Sequence, residues 1–135
     1  MKRLFSIIIV GIMFLTMGTA AYVEAIPYTI GSQNLKSTLM ISGSTATCTS
    51  VFTAEGDDVS KVEITQSLEK HSYLWVWDTV GGEWNTSSNG GSISFNNKVT
   101  KLDSGTYRVK TVFNVTDKNG KTEKIMLYSA EKSLN

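Results

Sequence analysis

"KLDSGTYRVKTVF", Lys101 to Phe113, decides the fold class of this 135-residue chain. Asp103-Ser104-Gly105 is a turn signal. From Tyr107 onward the residues alternate. Tyr107, Val109, Thr111, Phe113 and Val115 share one face, and Arg108, Lys110 and Asn114 share the other. Side chains alternate with a period of two only in extended backbone, so the segment reads as a strand with one buried and one solvated face.

The same pattern recurs on both sides of it. Thr38 to Ala54 is rich in Thr, Ser and Val, and is too long for one flat strand, with Gly43 as the expected break. Within it Ala46, Cys48 and Phe52 oppose Thr45, Thr47, Thr49 and Thr53. Val62, Ile64 and Leu68 alternate against Lys61, Glu63, Thr65, Ser67 and Glu69, and His71 falls in the turn that follows. "YLWVWD" differs, because Tyr73, Trp75 and Trp77 point one way while Leu74 and Val76 point the other. Gly81-Gly82 and "NTSSNGG" mark a loop-rich region around Trp84, and "SISF" gives a short strand with Ile93 and Phe95 inward. Asn119-Gly120 predicts a tight hairpin of the primed type before a last strand over Thr122 to Ser129. Nothing sustains a helical period. Six to seven short strands with regular turn signals predict an all-β antiparallel sandwich over residues 38–135, preceded by a tail or edge strand over 26–37.

The first residues carry a different message. Lys2 and Arg3 precede an almost wholly apolar run, Leu4 to Met17, and then small residues up to Ala25. That order is the pattern of a secretory signal peptide, here a helix over residues 1–25. Cleavage is expected after Ala25, with Ala20 and Ala21 as alternatives, and the protein is expected to be secreted. An uncleaved anchor competes with this reading, since no charge interrupts Leu4 to Val23 and a spanning helix needs about 20 residues. Membrane association follows only from that second reading. The leader takes Lys2, Arg3 and Glu24 out of thirteen cations and twelve anions, so eleven of each remain and the mature net charge is zero. Without a basic excess to neutralise phosphates, nucleic acid is excluded as a partner.

Cys48 is the single cysteine, so no disulfide forms within the chain. A mature chain of this size holds itself together through its core. Cys48 is expected to act as a small buried hydrophobe, the alternative being an intermolecular disulfide or a reactive thiol.

Two stretches resemble the immunoglobulin-like superfamily. "TATCTSVF" resembles a strand B carrying its cysteine at Cys48, and "LDSGTYRV" resembles the turn into strand F, where a cysteine would follow the tyrosine by two residues. Here Val109 stands at that place. The resemblance implies an immunoglobulin-like sandwich in which Tyr107 forms a tyrosine corner. It also implies that Cys48 and Val109 pack face to face where the disulfide would lie. The strand C tryptophan is missing, with Val62 and Ile64 in that region, and "GTYRV" is equally similar to fibronectin type III-like domains. The mature chain as a whole is similar to small secreted domains of Gram-positive bacteria whose activity is uncharacterised. It shares their signal peptide, Trp-containing central hairpin, "G-x-YRV" and "NGK" turn. That resemblance supplies no catalytic residues.

Catalytic constellations are missing as well. One histidine in a turn and one cysteine in the core do not make a nucleophile–base pair, and no Ser lies in a G-x-S-x-G elbow. The sequence has no H-E-x-x-H and no C-x-x-C, and the acids of "AEGDD" have no second ligand cluster to complete a calcium shell. No catalytic residue, metal or cofactor is therefore expected. Tyr73, Trp75, Trp77 and Trp84 remain. They suit either core packing or an exposed platform for a sugar ring, peptide or partner surface. Trp75 and Trp77 are expected to be mostly covered, with Trp84 the more exposed ring. The resulting expectation is a secreted, non-catalytic binding or structural module whose partner is a glycan, the cell wall or a surface protein. A secreted toxin or inhibitor and a small hydrolase are the alternatives.

Overall fold

The structure is a computed structural model that describes Tyr22–Val23 and residues 32–135. The rest of the expected leader (residues 1–25) and of the tail (26–37) lies outside the described residues. These form nine strands and no helix: β1 (Tyr22–Val23), β2 (Ser32–Ser42), β3 (Thr45–Glu55), β4 (Val59–Tyr73), β5 (Val76–Ser88), β6 (Ser92–Val99), β7 (Gly105–Asp117), β8 (Thr122–Tyr128) and β9 (Lys132–Leu134). All pairings are antiparallel. Seven of the strands, β2 to β8, make the body of an all-β sandwich.

One sheet has the order β2-β3-β6 and the other β1-β8-β7-β4-β5, with the short β9 also paired to β7. With β3 as strand B and β7 as strand F, this is A-B-E facing G-F-C-C′, an immunoglobulin-like strand order. The chain stays within a sheet at three hairpins, β2–β3, β4–β5 and β7–β8. From β2 onward it crosses between sheets after β3, β5 and β6.

Two turns differ from their sequence reading. At Asn119-Gly120 only Gly120 has positive φ, at 85°. The Gly120 N–H donates to the Asp117 carbonyl at 3.1 Å, and the Asp117 carboxylate accepts from the N–H groups of Asn119 and Lys121 at 2.9 and 2.8 Å. A side chain thus holds a longer loop, and the primed geometry is not required. Gly81-Gly82 is a bulge inside β5. Leu68 pairs with Val80 but Ser67 pairs with Glu83, so β5 carries two extra residues there. Two is an even number, and Val80 and Trp84 therefore keep the same face.

The inward residues form two apolar clusters with a polar layer between them. Phe52, Val62, Ile64, Phe113, Val115 and Ile125 pack at one end. Leu39, Ala46, Cys48, Leu68, Tyr107 and Val109 pack at the other. On four strands a polar residue interrupts the apolar stripe between the two: Ser37 on β2, Ser50 on β3, Gln66 on β4 and Thr111 on β7, all buried. Gln66 Nε2 donates to Ser50 Oγ at 2.7 Å and to the Phe95 carbonyl at 3.2 Å, while Asn97 Nδ2 donates to Gln66 Oε1 at 2.9 Å. Thr111 Oγ1 lies 2.7 Å from Ser50 Oγ and 2.9 Å from Ser37 Oγ, and Ser37 Oγ reaches the Val109 carbonyl at 3.4 Å. A single direction uses every proton: Asn97 to Gln66, to Ser50, to Thr111, to Ser37, to the Val109 carbonyl. Each buried hydroxyl then both accepts and donates, which is what makes the layer tolerable in a low-dielectric core.

Candidate functional site

The β4–β5 hairpin is longer than the sheet that supports it. Pairing of β4 with β7 stops at Lys70 opposite Tyr107, whereas β4 continues to Tyr73. Three more residues of extended chain carry β4 about 10 Å past its last pair with β7. There Tyr73 pairs with Val76, and Leu74-Trp75 turns the chain round. The expected single strand through "YLWVWD" is therefore corrected to a hairpin turn. Leu74 takes φ of +51°, the left-handed region, which costs a non-glycine residue roughly 1–2 kcal/mol.

A turn presents its side chains to solvent on every side. Tyr73 is 68% exposed, Leu74 57%, Trp75 80% and Val76 43%. The expectation that Trp75 is mostly covered is overturned: it is the most exposed of these four. Trp77, one residue further from the tip, is half-buried. The Arg108 guanidinium lies 4.1 Å from its ring centroid, and the His71 ring is 5.1 Å away. Arg108 also sits 4.0 Å from the Tyr128 ring and donates to Glu69 at 2.8 Å. The cation is thus held between two aromatic rings and a carboxylate, which stiffens the base of the hairpin. A His71 ring nitrogen contacts the Leu74 carbonyl and ties the turn back to β4.

Trp84, expected to be more exposed than Trp75 and Trp77, is half-buried and packs against the cluster of Leu68, Tyr107 and Val109. The bulge at Gly81-Gly82 preserves the parity that sends it inward. The four aromatic residues therefore do not form one platform. Tyr73 and Trp75 stand at the tip, Trp77 is stacked at its base, and Trp84 belongs to the core margin. Leu74 and Val76 join the tip instead, and Arg108 anchors it. A signal for this was present in the sequence: five bulky apolar residues in a row, Tyr73 to Trp77, leave no alternation for a strand to follow.

The residues singled out for structure are all interior. The Tyr107 hydroxyl donates to the Asp103 carbonyl at 2.6 Å, four residues upstream. Cys48 and Val109 are fully buried in one cluster. Burial pushes the Cys48 thiol up to about 11, so it stays protonated at neutral pH. Val109 is further fixed by Ser129, which accepts from its N–H at 2.8 Å and donates its own N–H to the Val109 carbonyl at 2.9 Å. Among the described residues no group of three or more His, Cys, Asp or Glu side chains is placed to hold a metal ion.

No protein-family model and no curated protein matches the sequence. Among solved structures the chain is similar to wild-type OgpA from Akkermansia muciniphila in two crystal forms. One superposes with a TM-score of 0.40 at 10% identity, covering 81% of this chain and 31% of that one. The other gives 0.36 at 14% identity, covering 80% and 32%. The chain spans about a third of that protein's length, and a likeness this distant carries no functional argument.

Proposed function

We propose that this protein is an exported, non-catalytic binding module that meets its target at a cell envelope through the tip of the β4–β5 hairpin. The observation that carries the reading is the exposure of Tyr73, Leu74, Trp75 and Val76 together on a projecting turn. Folding does not require those residue types there. The β2–β3 hairpin turns at Gly43-Ser44, and the β7–β8 hairpin turns through Lys118 to Lys121, all polar or glycine. Bulky apolar residues at one turn alone, with Leu74 in a conformation that glycine adopts freely, point to a role outside the fold. In support of a non-catalytic reading, Cys48 is sealed in the core while His71 is exposed at the hairpin base, so neither serves as partner to the other.

The test is capture of the purified protein by bacterial envelope preparations. Wild type is compared with Trp75→Ser and Leu74→Asp, two changes at exposed positions. Retention should fall sharply for both variants at unchanged melting temperature. Equal retention of all three proteins would remove the tip from the binding role.

A further inference from the structure

We infer that the β4–β5 tip is a wedge for the apolar–aqueous boundary of a lipid bilayer; this rests on the reading of the tip as the contact element. Shape comes first. Tyr73 and Val76 are directly paired, so their side chains share one face of the ribbon, and Leu74 and Trp75 cap it; all four are exposed together. A glycan or a protein groove is met by one face of an aromatic residue. Immersion covers a face of the ribbon and its cap together.

Size argues the same way. The four side chains present on the order of 500 Å², short of the roughly 800 Å² per partner that a stable protein interface or a second copy of this chain would bury. Lipid needs no complementary surface and sets no such threshold. The chemistry is also that of the headgroup boundary, where Trp and Tyr place a ring among acyl chains and a polar edge in water. No Asp, Glu, Lys or Arg occurs from His71 to Trp77. Just behind this stretch Glu69 is bonded to Arg108, Lys70 lies 5.8 Å from the Tyr107 ring, and the exposed Asp78 stands opposite Lys70 across the ribbon. Entry of the tip as far as Trp77 thus carries no Asp, Glu, Lys or Arg into the bilayer, and Asp78 with Lys70 marks the level at which charge stays in water. The stacked Trp77–Arg108–Tyr128 base keeps the wedge upright.

The experiment uses the full chain and its own fluorescence. The three tryptophans are Trp75, Trp77 and Trp84, and none lies in residues 1–25, so contact of the leader with lipid produces no tryptophan signal of its own. Vesicles of phosphatidylcholine brominated on the acyl chains should quench part of the emission and shift it to the blue. That component should vanish in Trp75→Phe, and Leu74→Asp should raise the lipid concentration needed by at least about tenfold. Binding should be the same on vesicles containing phosphatidylglycerol and at about 1 M sodium chloride, where exposed charges are screened. Quenching that persists in Trp75→Phe, or binding that needs the anionic lipid and disappears in salt, overturns the inference. An absence of quenching also overturns it, while Trp75-dependent capture by envelope preparations would leave the tip as a contact element for a different target. Loss of both signals would end both readings.

Discussion

Gln66 on β4 donates to Ser50 Oγ on β3 at 2.7 Å, across the gap between the two sheets. This bond joins the sheets at the level where the apolar stripes of β2, β3, β4 and β7 are interrupted. It also makes the polar layer specific to one register. Sliding β4 by two residues would bring Ile64 or Leu68 to Ser50 and take away the donor that Gln66 supplies to it.

Gln66→Leu should therefore destabilise the domain although it adds apolar surface. It strands Ser50, the Phe95 carbonyl and Asn97, and an unsatisfied buried group costs about 1–3 kcal/mol. Combining it with Ser50→Ala should cost less than the two single changes added together, because both act on the same bond. Urea unfolding of the four proteins in the cycle measures this. Additive losses would show that the layer is a set of independent contacts.

Tyr107→Phe removes one hydroxyl bond to the Asp103 carbonyl and should lower stability by about 1 kcal/mol. Val109→Ala removes two methyl groups from a fully buried site and leaves a cavity, so about 2 kcal/mol or more is expected. If the order of the two effects is reversed, the corner and not the core anchors the start of β7.

The tryptophans should separate by position. Trp75→Ala should leave the melting temperature almost unchanged, as exposed substitutions do. Trp84→Ala should lower stability by about 3 kcal/mol, towards the lower end for large aromatic truncations because the ring is only half-buried. Acrylamide should quench Trp75 freely in a single-tryptophan protein and Trp84 much less. Equal quenching at the two positions would contradict this arrangement.

Cys48 gives a pH dependence with a definite sign. Its thiol ionises near the ordinary value of 9.0 in the unfolded chain and near 11 in the folded one. Between those values the unfolded state has already lost its proton, so stability falls as pH rises and levels off above about 11. Below pH 9 the group contributes no slope. Comparing urea midpoints of wild type and Cys48→Ala from pH 8 to 11 isolates the effect. A thiol reagent should label the native protein only on unfolding, and rapid labelling at neutral pH would place Cys48 elsewhere.

Parity explains most of what the sequence revealed. Tyr107, Val109, Phe113 and Val115, like Cys48 and Phe52, could be assigned to the interior because a strand buries every second residue. Gln66 and Ser50 occupy the same stripes, yet a polar residue on an apolar stripe looks the same whether it faces a partner or interrupts the strand. The partner is defined only by register between two sheets, which no local pattern encodes. The tip was concealed for a different reason. Hairpin turns are recognised by glycine or asparagine, and Leu74-Trp75 has neither. At Gly81-Gly82 the glycine signal was present but marked a bulge, since β5 stays paired to β4 on both sides of it.

The pairing of a lone buried Cys48 with Val109 in one cluster has a consequence for timing. Among the described residues no covalent link joins the sheets, so the native state requires no oxidant and forms equally well in reducing or oxidising surroundings. For a chain exported as proposed, folding is then free to begin where synthesis ends, and threading through a translocation channel becomes a race against it. The topology favours the channel. Leu68 must find Val109, and Ala46 must find Val99, each across a long stretch of intervening chain. Closing such loops before any contact compensates is slow in all-β sandwiches. Delay, in place of a disulfide made after arrival, would keep the precursor open long enough to leave.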